Sequence, residues 1–146
     1  MQFYTSVLTN SRIGRITRYG EAGKEVHGRP AGSVLTIEFE IDGQSMMALN
    51  GGPMFKFNEA VSFQVHCASQ DEINYYWERL SEGGDVRAQQ CGWLKDRYGL
   101  SWQIVPTALG QMLQDKDAGK SGRVMSALMG MKKLDLGELR RAYEHR

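Results

Sequence analysis

Residues 61–84 read VSFQVHCASQDEINYYWERLSEGG, and two hydrophobic periods meet within them. Val61, Phe63, Val65 and Cys67 alternate with Ser62, Gln64 and His66, the period-two pattern of a strand with one apolar face. Ser69 and Glu72 stand at capping-box spacing, and Ile73, Tyr76, Trp77 and Leu80 then fall on one face of a helix that Gly83-Gly84 ends. Further β-like pieces are expected at 86–90 and 92–95, a turn at 96–99 and a strand at 100–105 before Pro106. This half of the chain therefore reads strand, helix, strand, strand, strand.

Upstream, 33–41 and 44–50 read as strands separated by the turn dipeptide Asp42-Gly43, which makes them a hairpin. Residues 11–19 alternate through Ile13 and Ile16 as a further strand. Between them, 20–32 holds four glycines, Pro30 and four charged residues without periodicity, the composition of a long mobile loop. Phe3-Tyr4 followed by Val7-Leu8 repeats the pattern of Tyr76-Trp77 followed by Leu80, and strands follow in each case, so the halves read as two copies of one βαβββ unit. The strand centred near Ser62 lies 15 positions before Trp77, which puts its counterpart in the first copy before Met1. The first strand of module one, with part of its helix, is expected to be missing, or its edge to be filled by something else.

Composition bounds the function. A chain of 146 residues, 41% hydrophobic and 24% charged, suits one globular domain. No apolar run approaches the ~18 residues that span a bilayer, and residues 1–11 show no secretory signal, so a cytoplasmic protein without membrane association is expected. Cys67 and Cys91 fit neither a disulfide framework nor a zinc ligand set and are expected to be free thiols. The net charge of +1, spread along the chain, lacks the basic stripe of a nucleic-acid binder and leaves a small molecule as the expected partner.

The tail differs in kind, with helices expected at 107–114, 121–134 and 135–143, the last capped by Asp135 and Glu138. Met125, Leu128, Met129 and Met131 give the middle helix an apolar face, suited to core packing or, through the adaptability of methionine, to a partner or a pocket. Gly119-Lys120-Ser121 is not a phosphate loop, because Gln114 stands where the earlier glycine is needed and a helix, not a strand, precedes it. His27, His66 and His145 are too dispersed for a local ligand pair, and no serine occupies a Gly-x-Ser-x-Gly elbow. His66 shares a strand face with Ser62 and Gln64, which serves a polar pocket or solvent equally well.

Two stretches carry a resemblance: Ala48-Leu49-Asn50-Gly51-Gly52-Pro53 with Phe55-Lys56-Phe57 after it, and Cys91-Gly92-Trp93-Leu94-Lys95-Asp96-Arg97-Tyr98-Gly99-Leu100-Ser101-Trp102-Gln103-Ile104-Val105-Pro106. Both resemble the PhnB-like branch of the vicinal-oxygen-chelate (glyoxalase/bleomycin-resistance/dioxygenase) superfamily. The similarity runs from Phe3 to about Leu139. It implies an α+β fold of paired βαβββ modules, 1–53 and 60–106, curling into a half-barrel around a shared concave site, followed by the helical extension at 107–146, and commonly a homodimer. In metal-using relatives a His in a module's first strand and a Glu in its last hold a divalent ion. By matching, Ser62 takes the His place and Gln103 the Glu place, and neutral oxygens are weak ligands for a transition metal.

The expectation is therefore a small-molecule binder without metal or cofactor, with Asn50, Ser62, Gln64, His66 and Gln103 as polar pocket residues and Phe55 and Trp93 as apolar walls. The alternatives are a metal-dependent lyase, isomerase or dioxygenase of the same superfamily, or the demethylubiquinone methyltransferase whose name many sequences of this branch carry. The last has no glycine loop of the Rossmann kind in the sequence to support it. Whether the chain is an enzyme stays open at this point.

Overall fold

The computed structural model describes residues 1–144, so the expectation for His145 lies outside the described residues. The chain divides into two compact units, one ending at Lys56 and the other beginning at Phe57. Unit one holds helix α1 (Gln2–Val7), strand β1 (Arg12–Arg18), the one-turn helix α2 (Lys24–His27), and strands β2 (Val34–Ile41) and β3 (Gln44–Leu49). Its sheet is three-stranded in the order β1-β2-β3, antiparallel throughout. Asp42 and Gly43 both take left-handed φ (49° and 75°), the two-residue turn whose twist matches a hairpin, and Ile41 pairs with Gln44 directly across it. α1 packs on β1 and β2, and Tyr4, Val7, Leu8 and Phe39 are buried.

The segment expected as a mobile loop is tied down instead. Tyr19 and Ser33 bond through their backbones, Arg29 N–H donates to His27 Nδ1 (3.0 Å), and the His27 and Tyr19 rings lie 4.4 Å apart. Its glycines, at left-handed φ on both sides of α2, supply the bends that the composition suggested, but the short helix between them was invisible to any periodicity.

Unit two opens with strand β4 (Ser62–Cys67) and helix α3 (Gln70–Ser81). A 3₁₀ turn (Val86–Ala88), strands β5 (Trp93–Lys95) and β6 (Ser101–Pro106), and helices α4 (Ala108–Leu113), α5 (Ala118–Met129) and α6 (Leu136–Glu144) follow. Ser69 Oγ accepts from Glu72 N–H (3.2 Å) as the capping box requires, while the Glu72 carboxylate reaches back one residue further, to Ala68 N–H (2.6 Å). The sheet order is β4-β6-β5, with β4 parallel and β5 antiparallel to β6. The strand expected at 86–90 does not form. Asp85 caps the 3₁₀ turn by accepting from Arg87 N–H, and only Gln90 makes an isolated bridge, to Trp93.

Unit two has the larger core. Ile73 and Leu80 of α3 meet Cys67, Leu94 and Ile104 of the sheet with almost no exposure, and burial pushes the Cys67 thiol up to about 11. Both cysteines are free. The helices form their own cluster around Leu109, Met112, Val124, Leu134 and Leu139. The middle helix starts earlier than expected, at Ala118, because the Asp117 carboxylate accepts from Gly119 and Lys120 N–H, and it stops at Met129 rather than Leu134. Its inward face is accordingly Val124, Ala127 and Leu128, while Met125 and Met129 point outward, 45% and 58% exposed. Gln70 fastens the tail by donating to Leu134 O (3.1 Å) and accepting from Leu136 N–H (2.8 Å). Gly92 packs so closely that a Cβ there would sit 3.1 Å from both Ile104 O and Leu134 Cδ1.

Asp96 organises the β5–β6 turn from the inside. It is 2% exposed and accepts from Tyr98 N–H (2.8 Å), Leu100 N–H (3.1 Å) and Trp102 Nε1–H (2.9 Å). Asp96→Ala strands those donors away from water and should cost about 3 kcal/mol in urea denaturation. Asp96→Asn keeps one acceptor oxygen and should cost less; equal losses would mean the carboxylate contributes only bulk.

Candidate functional site

Alternate side chains of a strand take opposite faces. With Cys67, Leu94, Trp102 and Ile104 committed to the buried face under α3, Ser62, Gln64, His66, Gln103 and Trp93 are left together on the other. The parallel register sets Gln64 beside Gln103 and His66 beside Val105, and the antiparallel one sets Trp93 beside Gln103. Gln64 Nε2 donates to Gln103 Oε1 (3.2 Å), and Gln103 Nε2 donates to Ser62 Oγ (2.9 Å). Three of the expected residues thus form one hydrogen-bonded chain. The same contacts are satisfied with both amides turned over, Ser62 donating to Gln103 and Gln103 to Gln64. The ends of this chain therefore offer a donor or an acceptor as a ligand demands.

The next rung is Lys95–Ser101–Ser62. Lys95 pairs with Glu59, which holds the Glu59 carboxyl below the usual range chiefly through their hydrogen bond. Ser101 is 1% exposed, and its Oγ has no hydrogen-bond partner among the described residues. Ser101 was not singled out from sequence, although its place in the alternation of β6 was readable there.

Asn50 and Phe55 belong to unit one. The Asn50 side chain donates to Val34 O (3.0 Å) and its backbone carbonyl accepts from Tyr19 Oη–H (2.8 Å), so it closes the end of the β2–β3 ladder. Phe55 lies outside any helix or strand and is 88% exposed.

Unit one has a polar face of its own, which the sequence reading missed. An open groove of about 540 Å³ is lined by Arg12, Gly14, Glu38, Glu40, Ser45 and Met47 among others, and by none of the seven residues expected from sequence. A register shift between Ile13 and Ile16 sets Gly14 and Arg15 together against Glu38. Arg12 donates to Glu40 through Nε (2.8 Å) and a terminal nitrogen (2.5 Å), and Arg15 likewise reaches Glu38 (3.1 and 2.5 Å). Thr17 and Thr36 share a hydrogen bond one step on. The alternation Thr36, Glu38, Glu40 in one strand and the arginines in the other was the available signal, but only the bulged register turns it into pairs.

The donor set of unit two does not fit a transition-metal centre. The positions matched to the superfamily's imidazole and carboxylate hold Ser62 and Gln103, bonded to one another, and neutral oxygens are poor ligands for such ions. Among the described residues no three His, Cys, Asp or Glu side chains cluster so as to hold a metal. A nucleotide-like cofactor at the β4–α3 junction fits no better, since the Glu72 carboxylate already occupies the free N–H of Ala68 there. Among the described residues no helix is long and apolar enough to cross a membrane.

Two small open three-stranded sheets, each with a helix packed on it, and a C-terminal group of helices define an α+β protein. The chain belongs to the family whose model is described as 3-demethylubiquinone-9 3-methyltransferase, which matches residues 1–105, and within it to the PhnB-like branch. A PhnB protein from Bacillus cereus is 32% identical, with a TM-score of 0.62 over 73% of this chain and 88% of that one. A protein from Pseudomonas aeruginosa, 17% identical, shares the fold with a TM-score of 0.52 over 72% of this chain and 84% of that one. No curated protein matches the chain.

The Arg12 pair generates a direct test. The hydrogen bond from Arg12, ahead of its charge, holds the Glu40 carboxyl below the usual range. The stabilisation that this shift carries is present above the ordinary glutamate range and lost as pH falls through the depressed value. A carbon-detected NMR titration should place Glu40 below a free glutamate, and Arg12→Ala should return it to the ordinary range. A Glu40 titration unaffected by that substitution would dissolve the pair.

Proposed function

We propose that this PhnB-like chain binds a small polar organic molecule on the β4–β6–β5 face of unit two, without a metal ion. The observation that carries the reading is the hydrogen-bonded chain Gln64–Gln103–Ser62 beside Trp93. Such a chain recognises adjacent carbonyl and hydroxyl groups, because each amide offers both a donor and an acceptor, and an indole supplies a flat apolar wall. The half-barrel and the shared pocket of the superfamily belong to this proposal, as does a cytoplasmic location. Thermal-shift screening against hydroxy- and keto-substituted metabolites should find a ligand that stabilises the native protein and not Ser62→Ala/Gln103→Leu. A shift of equal size in that double variant would put the ligand elsewhere.

The metal-dependent reading has one observation in its favour: His66 lies on the same strand face as Ser62, exposed. The neutral donor set weighs against it. The purified protein should contain well under one equivalent of any transition metal, and its melting temperature should not respond to a chelator. Elemental analysis near one metal per chain, lost on His66→Ala, would overturn the metal-free reading.

The methyltransferase in the family's description would require S-adenosylmethionine. At the β4–α3 junction side chains already take the Ala68 and Glu72 N–H groups, which weighs against that cofactor, and calorimetry should register no saturable binding below millimolar concentration. Saturable binding would revive that activity.

A further inference from the structure

We infer that the ligand of the β4–β6–β5 face is a small carboxylic acid with a hydroxyl or keto oxygen on the carbon next to the carboxylate, and that this carboxylate replaces Glu59 on Lys95. The inference rests on the binding reading above and names the substrate class of the same site. Leu94 is buried, so its strand neighbours Trp93 and Lys95 point to the opposite, ligand-facing side. Among the described strand residues of that side, Lys95 alone carries a fixed charge. Its neighbours across the ladders are hydroxyls, amides and an indole.

The partner that Lys95 holds is of a kind that a ligand can displace. Glu59 stands in a turn just before β4, where Asn58 Oδ1 accepts from Ala60 N–H (3.0 Å). Its side chain is 64% exposed, against 23% for Lys95. A pair so open on one side adds little to stability, and a released Glu59 returns to water. The half-shielded ammonium, by contrast, needs an anion wherever it stays. A ligand carboxylate supplies the same charge and the same two acceptor oxygens. Asp85 also feels Lys95 and is already held by Arg87 (2.9 Å). One ammonium near two carboxylates favours a monoanion over a phosphate dianion.

The same pair bridges the rung that holds the unclaimed hydroxyl. β5 and β4 flank β6 on opposite sides, so a contact from Lys95 to a residue just before β4 runs across the start of β6. Ser101 stands there, level with Lys95 and Ser62, 1% exposed and with its Oγ unpartnered among the described residues. It shares a strand face with Gln103. A buried hydroxyl left unpaired is destabilising, and a carboxylate brought in on Lys95 gives it an acceptor. Ser62 joins this rung to the next, because its Oγ accepts from Gln103 Nε2 (2.9 Å). An oxygen on the carbon beside the carboxylate therefore falls toward the Ser62–Gln103 pair, and Trp93, opposite Gln103, covers an apolar substituent beyond it.

Calorimetry on the whole chain tests this with lactate, pyruvate, mandelate and phenylpyruvate, each beside its methyl ester, and with inorganic phosphate as a further arm. At least one acid should bind saturably at millimolar concentration or below, and its ester about 10-fold more weakly. Lys95→Met keeps the stem and removes the charge, so it should weaken the acid to the level of the ester and leave the ester unchanged. Glu59→Gln removes the competing carboxylate and should tighten the acid about threefold. That opposite sign is one a merely structural ion pair would not give, and it can be read even if the lysine variant misfolds. Lys95 holds the Glu59 carboxyl below the usual range, chiefly by its hydrogen bond; with the acid bound, a carbon-detected NMR titration should find Glu59 in the ordinary range. Esters that bind as tightly as their acids, phosphate that binds more tightly than any acid, or no binding of any acid would each overturn the inference. So would an acid affinity that Glu59→Gln leaves unchanged or weakens, or a Glu59 titration that the acid does not move. A neutral ligand lost in Ser62→Ala/Gln103→Leu would leave the binding reading standing without this inference, whereas acid binding indifferent to that double variant would remove both.

Discussion

The parallel ladder between β4 and β6 is the constraint from which the rest of unit two follows. Parallel neighbours cannot be joined by a tight turn, so the chain must leave β4, cross the sheet and return. α3 is the long element of that crossover, and its apolar face, Ile73, Trp77 and Leu80, is buried on the way. The same ladder decides which polar groups meet. Its register puts Gln64 level with Gln103 and Ser62 level with Ser101, and a slip of one residue would turn all of them under the helix.

Neutrality is what makes this arrangement inexpensive to fold. A carboxylate or imidazolium on a partly shielded sheet face must be paired or lose hydration, whereas two amides and a hydroxyl satisfy one another by hydrogen bonding and remain free to exchange those bonds for a ligand's. Asp96, the one fully buried charged residue among the described residues, is handled differently: two backbone N–H groups and an indole N–H converge on it, and it shapes the turn that aims β6. The uncharged sheet face and the turn are thus held by different chemistries within a few residues of each other.

Much of this was legible in the sequence because the governing interactions are local. The Asp42-Gly43 turn, the Ser69 cap and the alternation of 62–67 each act within a few residues and were read correctly, as was the sharing of one face by Ser62, Gln64 and His66. The failures have a common cause in interactions that spacing does not encode. Residues 86–90 have strand composition, but the Asp85 side chain captures Arg87 N–H and turns the backbone. The start of α5 was hidden because Asp117 caps a sequence, Ala-Gly-Lys-Ser, that holds no large apolar residue. The Arg–Glu pairs of unit one depend on a bulge, and the acceptor of the Asn50 side chain, Val34 O, is distant in sequence.

The two units differ in the chemistry of their polar faces, and the difference follows from how much core each commands. Unit two buries α3, three strands and a helical tail. Such a scaffold holds uncharged side chains at fixed separations, as the Gln64–Gln103–Ser62 hydrogen bonds require. Unit one buries Tyr4, Val7, Leu8 and Phe39 beneath a short helix, and three strands with so small a core are near the limit of what stands alone. Its face is laced instead by Arg12–Glu40 and Arg15–Glu38, exposed pairs that fix strand register through charge more than they add stability.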